Sequence, residues 1–250
     1  MRNERVLAVL SPLALLVLWE VLTRTTILDD RFFPAPTAIA STFVDVAKSG
    51  ELWDNTWISV RRVVLGLLLG GIPALAIGLC MGLYRPVRAA LDPLVAATYP
   101  IPKSAIVPLL LLIFGLGEMS KVVMVAIGAF FPIVMNTSAG VREISPMYHD
   151  VGRTFGASRW QTFRTIAFPG ALPLIMTGVR LAIGLALILI VIAEMIGAKS
   201  GLGYMIWNAW QIFAVPTMYV GLITVSVLGV LFTLALTEAE RLLIPWRRTR

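Results

Sequence analysis

Arg180 and Glu194 stand inside one apolar run of the chain, spanning about residues 171–196. Ionisable groups in such a run are costly in hydrocarbon and face a protein interior or a watery path. Their spacing is close to four helical turns, which puts them on similar faces about 21 Å apart, too far to pair with each other. Lys103 lies beside another apolar run that Pro100, Pro102 and Pro108 interrupt. These three charges could line a translocation path, with Arg180 attracting an anion. Equally, each could pair with a neighbouring segment or extend its charge to lipid headgroups.

Nothing in the chain supports covalent chemistry, so no catalytic residue is assigned. The one histidine, His149, lies in a polar segment away from any serine in an apolar run, whereas a nucleophilic serine needs a base within reach. The one cysteine, Cys80, excludes an internal disulfide, and His149 and Cys80 fall in different segments, so no metal site is expected. Neither an H-E-x-x-H pair nor a G-x-x-x-x-G-K-[ST] phosphate loop occurs. The chain therefore carries no ATP site of that kind, and no cofactor is expected on it.

The segment at about 141–170 differs from its surroundings. Ser145-Pro146 reads as a cap and first turn. Tyr148, Val151 and Phe155 recur at helical spacing, and Gly156 is placed to end that helix. Ser158 can cap a second short helix through Trp160, Phe163, Ile166 and Ala167, expected to stop at Pro169. Two amphipathic helices joined at a glycine make either a docking surface for a partner or a pair lying flat in a lipid interface.

The elements that hold these residues are read from composition and run length. Of the 250 residues 58% are hydrophobic and 14% charged, with a mean hydropathy of +0.86. A soluble domain carries about 25% charged residues. The apolar residues fall in runs that can cross a hydrocarbon core about 30 Å thick. We expect an all-α polytopic membrane protein with six spans in one domain over 1–250, its core at about 57–245. The spans are placed at about 6–22, 59–83, 91–114 (broken by prolines), 121–138, 171–196 and 218–243. The first has the flanks of a signal peptide but ends Trp19-Glu20-Val21-Leu22, without small residues for cleavage, and reads as retained. Thr37 is expected to cap a short helix after Pro34 and Pro36.

In the second span Gly66, Gly70, Ala74, Gly78 and Gly82 recur every four residues, a stripe that lets a neighbouring backbone approach closely. The net charge of +7 could suggest nucleic acid, but the basic residues sit at the ends of apolar runs, so no nucleic-acid partner is expected. With both termini inside, twelve Lys and Arg fall in inner segments, among them Arg2, Arg5, Arg248 and Arg250. Seven fall outside: Arg24, Arg31, Lys48, Arg61, Arg62, Lys121 and Lys199, a bias that favours cytoplasmic termini. Tyr204, Trp207 and Trp210 would form an outer interfacial belt.

Asp150-Val151-Gly152, then Gly156, then Ile166-Ala167-Phe168-Pro169 resembles the cytoplasmic signature of ABC importer permeases: E-A-A, three residues, G, nine residues, I-x-L-P. The spacing agrees; Asp stands for Glu, Val-Gly for Ala-Ala and Phe for Leu. Further blocks, Phe114 to Lys121, Phe131 to Thr137, Ala193 to Ala198 and Ser200 to Tyr204, are similar to the branch that imports taurine, alkanesulfonates, nitrate and related anions. Some relatives in that branch carry vitamin precursors. The resemblance implies a type I importer permease fold in the bacterial inner membrane. It implies that Asp150, Val151, Gly152, Gly156, Ile166 and Pro169 belong to a coupling helix seated in a separate ATPase subunit, which holds ATP and Mg. It also implies a second permease copy, most simply as a homodimer, and a periplasmic or lipid-anchored substrate-binding protein. The rivals are an intramembrane enzyme and a channel; the first lacks its catalytic groups, and the second would leave the docking segment without a purpose.

Overall fold

The structure is a computed structural model that describes the backbone of residues 2–247 and the side chains of that range apart from residues 2–9, 149 and 247. Arg248 and Arg250, and the side chains of Arg2, Arg5, His149 and Arg247, lie outside the described residues. Eleven α-helices run in order among the described residues: α1 (Arg2–Arg24), α2 (Pro36–Lys48), α3 (Glu51–Leu83), α4 (Arg85–Thr98), α5 (Val107–Phe114), α6 (Glu118–Arg142), α7 (Pro146–Thr154), α8 (Arg159–Thr162), α9 (Phe168–Gly197), α10 (Leu202–Gln211) and α11 (Val215–Leu243). There is no strand among them.

Four helical stretches are long and apolar enough to cross a membrane: Glu51–Leu83, Glu118–Arg142, Arg159–Gly197 and Val215–Leu243. The pair Arg85–Thr98 and Lys103–Phe114 passes the same test together but bends by 84° at the break. The bend falls where Pro100 and Pro102 deny the helix two backbone donors. α1, at 23 residues, has the length of a sixth span. The spans extend beyond the expected limits because a helix of 33 residues is about 50 Å long and outruns the hydrocarbon.

By contacts the chain divides into two compact units, Met1–Ile58 with Lys199–Ser226, and Ser59–Ala198 with Val227–Arg250. In the first, the start of α2 is held from α1. Thr37 is the second residue of α2 rather than its cap, since Pro36 already occupies the first position. The Thr37 amide and hydroxyl both donate to the Glu20 carboxylate, at 3.0 and 2.8 Å. Also within this unit, the Gly201 amide donates to buried Asn55 Oδ1 at 2.7 Å and sets the entry to α10. Tyr204, Trp207 and Trp210 lie on that helix, a separate element that the sequence reading did not resolve. Its Trp207 and Trp210 rings lie 4.7 Å apart.

In the second unit α3 lies along α6. A methyl at Gly66 would fall 2.5 Å from Val125 Cβ, at Gly78 2.7 Å from Thr137 Cβ, and at Gly82 2.5 Å from Val141 Cβ. At Gly70 it would overlap the Ala126 carbonyl. Ala74 is fully buried in the same seam with Ala129, Ile133 and Val134. The four-residue repeat is thus the footprint of α6 on α3, and the absent side chains let the two backbones touch. α9 packs on the other flank of α6, where Gly178 and Gly128 allow the approach.

Candidate functional site

The segment between α6 and α9 is built from a helix, a glycine turn and a second helix continuous with the span that follows. Ser145 precedes α7 in extended conformation with Pro146 as its first residue, though its hydroxyl makes no capping bond. Gly156 has φ +66°. Its amide donates to Arg153 O at 3.0 Å and the Ala157 amide to Gly152 O at 2.9 Å, the paired bonds that close a helix C-terminus around a left-handed residue. A Cβ would find open space there, so Gly156 is required by its dihedral and not by crowding.

Ser158 then caps α8 reciprocally: its hydroxyl accepts from the Gln161 amide and the Gln161 carboxamide accepts from the Ser158 amide, at 3.2 and 2.7 Å. The second helix does not stop at Pro169. A wider π-turn over Phe163–Ala167 joins it to α9, with the Phe168 amide reaching back five residues to Phe163 O. The wider turn takes up the contact that the Pro169 ring would otherwise make with the carbonyl four residues earlier.

The signature spacing has a geometric reason. Gly152 is buried, and a methyl on it would lie 3.1 Å from Ile166 Cδ1. Glycine and isoleucine fourteen positions apart are therefore the two sides of one contact that seats α7 on the start of the span. With that side engaged, the other is open: Phe155 is 84% exposed, and Tyr148, Val151 and Trp160 are exposed beside it. Trp160 stacks on Phe163 with centroids 5.5 Å apart. Asp150 and Gly156 are also on the open side. The result is a firm aromatic knob with an acidic side chain, carried directly on α9.

Glu194 lies 26 residues from the start of α9, about 39 Å along the helix from the knob. It is fully buried, and its carboxylate accepts from Arg62 Nη1 at 2.8 Å and from Ser59 Oγ at 2.9 Å, both on α3. Arg62, 2% exposed, also grips Glu118 at the start of α6 through Nε at 2.9 Å and through Nη2. Lys121, 1% exposed, donates to the carbonyls of Leu116, Gly117 and Gly197, the last being the end of α9. A cation there offsets the carbonyl end of α9 at Gly197 and ties it to the turn that precedes α6. Arg62 and Lys121, counted above among outer loop charges, are thus inside helices and buried. Together they tie α3, α6 and α9 at the end opposite the knob.

The remaining charges are separate. Arg180 pairs with Glu240 of α11 at 2.6 Å. Lys103 sits over the Phe131 ring at 4.0 Å and donates to Thr98 O and Tyr99 O, the carbonyls exposed where α4 breaks. Arg180, Glu194 and Lys103 do not converge. Among the described residues there is no cluster of His, Cys, Asp and Glu that could hold a metal.

The pattern of the family described as binding-protein-dependent transport system inner membrane component covers residues 63–245, which include the α3–α6 seam, the knob and, of the ion network, Glu118, Lys121 and Glu194. The chain belongs to this family. The permease is 35% identical over 240 residues to the aliphatic sulfonates transport permease protein of Bacillus subtilis, covering 96% of this chain and 87% of that one. It is 31% identical to the taurine transport system permease protein of Escherichia coli, over 93% and 86% of the two chains. To the formylaminopyrimidine transport permease protein of Halalkalibacterium halodurans it is also 31% identical, over 94% of each. In fold it is similar to a chain of the MetNI methionine ABC transporter in an inward-facing conformation, with a TM-score of 0.60 and 21% identity over 78% of this chain and 94% of that one. The fold is that of a type I importer permease, and the permease is a multi-pass inner-membrane protein.

Proposed function

We propose that this permease moves a small organic sulfonate inward through the membrane by alternating access, driven by ATP hydrolysis on separate subunits. The observation that carries the reading is the knob of α7 and α8. Its aromatic face is open to a partner, while Gly152 and Ile166 lock it to the span behind it. A push on this knob is delivered to α9 as a rigid body, because no flexible linker intervenes between α8 and the span. Asp150, Val151, Gly156 and Pro169 belong to this device, and ATP and Mg belong to the partner ATPase.

The same reading puts both termini and the knob in the cytoplasm. With Arg62 and Lys121 withdrawn from the outer loops, the excess of inner positive charge grows. A second permease copy completes the path, and a binding protein delivers the sulfonate from outside. Arg180 and Lys103 would contribute positive potential near that path while held by Glu240 and by the α4 carbonyls.

The test is uptake of radiolabelled taurine and butanesulfonate by proteoliposomes holding the permease, its ATPase and its binding protein. Uptake that needs all three and ATP is the expected result. Uptake by the permease alone would refute the mechanism. Uptake of formylaminopyrimidine but neither sulfonate would refute the substrate.

A further inference from the structure

A cleft of about 620 Å³ opens between the end of α3, the middle of α4 and the half of α6 that leads into the knob. Asp92, Asn136, Ser138 and Arg142 line it together with the apolar Val95 and Met135. Ser138 is 3% exposed, and its hydroxyl has no hydrogen-bond partner. The neighbouring Thr137 hydroxyl, also buried, is likewise unpaired, whereas Thr177, Thr224 and Thr233 each donate to the carbonyl four residues earlier. A buried hydroxyl without a protein partner is a donor that a bound ligand can engage.

The other polar groups are also uncommitted. Asn136 uses one amide N–H on Pro132 O at 2.8 Å and has its second N–H and its oxygen left. Arg142 donates through Nε to Ser138 O at 3.3 Å, which turns it toward Ser138 and leaves both terminal nitrogens. Asp92 and Arg142 form no ion pair with each other or with another described residue. A carboxylate and a guanidinium, both exposed, thus flank one open cleft without pairing with each other.

We propose that this cleft is an inner substrate site for an aminoalkanesulfonate, an inference that rests on the sulfonate reading above. The sulfonate oxygens accept from the Arg142 guanidinium, the Ser138 hydroxyl and the Asn136 amide. The short hydrocarbon lies along Val95 and Met135, and Asp92 receives the ammonium. The site is then the last stop on the inward side, next to the knob whose motion opens and closes it.

The experiment measures binding of radiolabelled taurine to the permease with its ATPase in nanodiscs, without nucleotide or binding protein. Saturable binding is expected, weakened about tenfold or more by Arg142→Gln and several-fold by Ser138→Ala, whose methyl fits the same buried position. Arg142→Lys, which keeps the charge, is expected to recover part of the loss. Taurine is expected to bind about tenfold tighter than ethanesulfonate, and Asp92→Asn to abolish that preference. No saturable binding, equal binding by the three neutralising or truncating variants, or a taurine preference that survives Asp92→Asn would each overturn the site. Taurine uptake by the complete assembly, measured in parallel, separates the two claims: uptake without cleft binding sinks the site alone, and absent uptake sinks the substrate reading.

Discussion

Glu194→Gln changes one charge at a position with no solvent exposure, and its consequence can be worked from the contacts. The wild-type carboxylate compensates Arg62, which is 2% exposed, and accepts from Ser59. Glutamine keeps an oxygen for Ser59 but removes the charge opposite the guanidinium. Breaking a buried ion pair and stranding one partner costs about 3–5 kcal/mol. Arg62 still holds Glu118 by two nitrogens, and Glu118 is half exposed, so a loss of about 2–3 kcal/mol is expected here. For a chain of this size each kcal/mol moves the unfolding midpoint by about 2–4 °C, which gives a fall of about 4–12 °C. The seven tryptophans provide an intrinsic fluorescence signal for the melt in detergent. Arg62→Met, alone and combined with Glu194→Gln, completes a double-mutant cycle, and a coupling of about 1.5–3 kcal/mol is expected. A midpoint within about 1 °C of wild type, or a coupling under about 0.5 kcal/mol, would refute the claim that this pair ties α3 to α9.

Three further substitutions test the fold. Phe213 follows α10 with φ 57°, a left-handed position that a bulky residue occupies only under strain. Phe213→Gly is expected to raise stability by about 1 kcal/mol, read as a higher melting midpoint. Gly70→Leu, which would drive a side chain into the Ala126 backbone, is expected to cost at least about 1–3 kcal/mol and to lower the yield of folded protein. Gly184→Ala, with open space around it within α9, is expected to be neutral or stabilising by up to about 1 kcal/mol on the same melt.

What could be read from the sequence was the local part. The four-residue glycine repeat, the proline break near Pro100, the Ser158 cap and the turn at Gly156 each depend on neighbours a few positions away. They appear where expected. The ion network was missed because its partners are 132 residues apart for Arg62 and Glu194, and 56 for Arg62 and Glu118. A charge at the end of an apolar run reads as a loop charge until the segment facing it is known. Lys121 shows the same difficulty, since its partners are backbone carbonyls, which have no sequence signature. The join at Pro169 was misread because proline ordinarily ends a helix, and a π-turn upstream leaves no mark of its own. The strained Phe213 had no signal either, since a left-handed position is announced by glycine and here there is none.

The most direct measurement asks whether the α7–α8 knob is gripped by the ATPase and transmits its work. In a Cys80→Ser background, Phe155→Cys replaces the most exposed large apolar side chain of the knob and is tested for disulfide formation with single cysteines along the ATPase surface. The account predicts a cross-link that forms in the intact assembly and stops sulfonate uptake until it is reduced. It also predicts that Gly156→Val leaves the permease in the membrane while separating ATP hydrolysis from uptake. A Phe155→Cys variant that never reaches the ATPase, together with coupled uptake at the normal rate by Gly156→Val, would contradict the account.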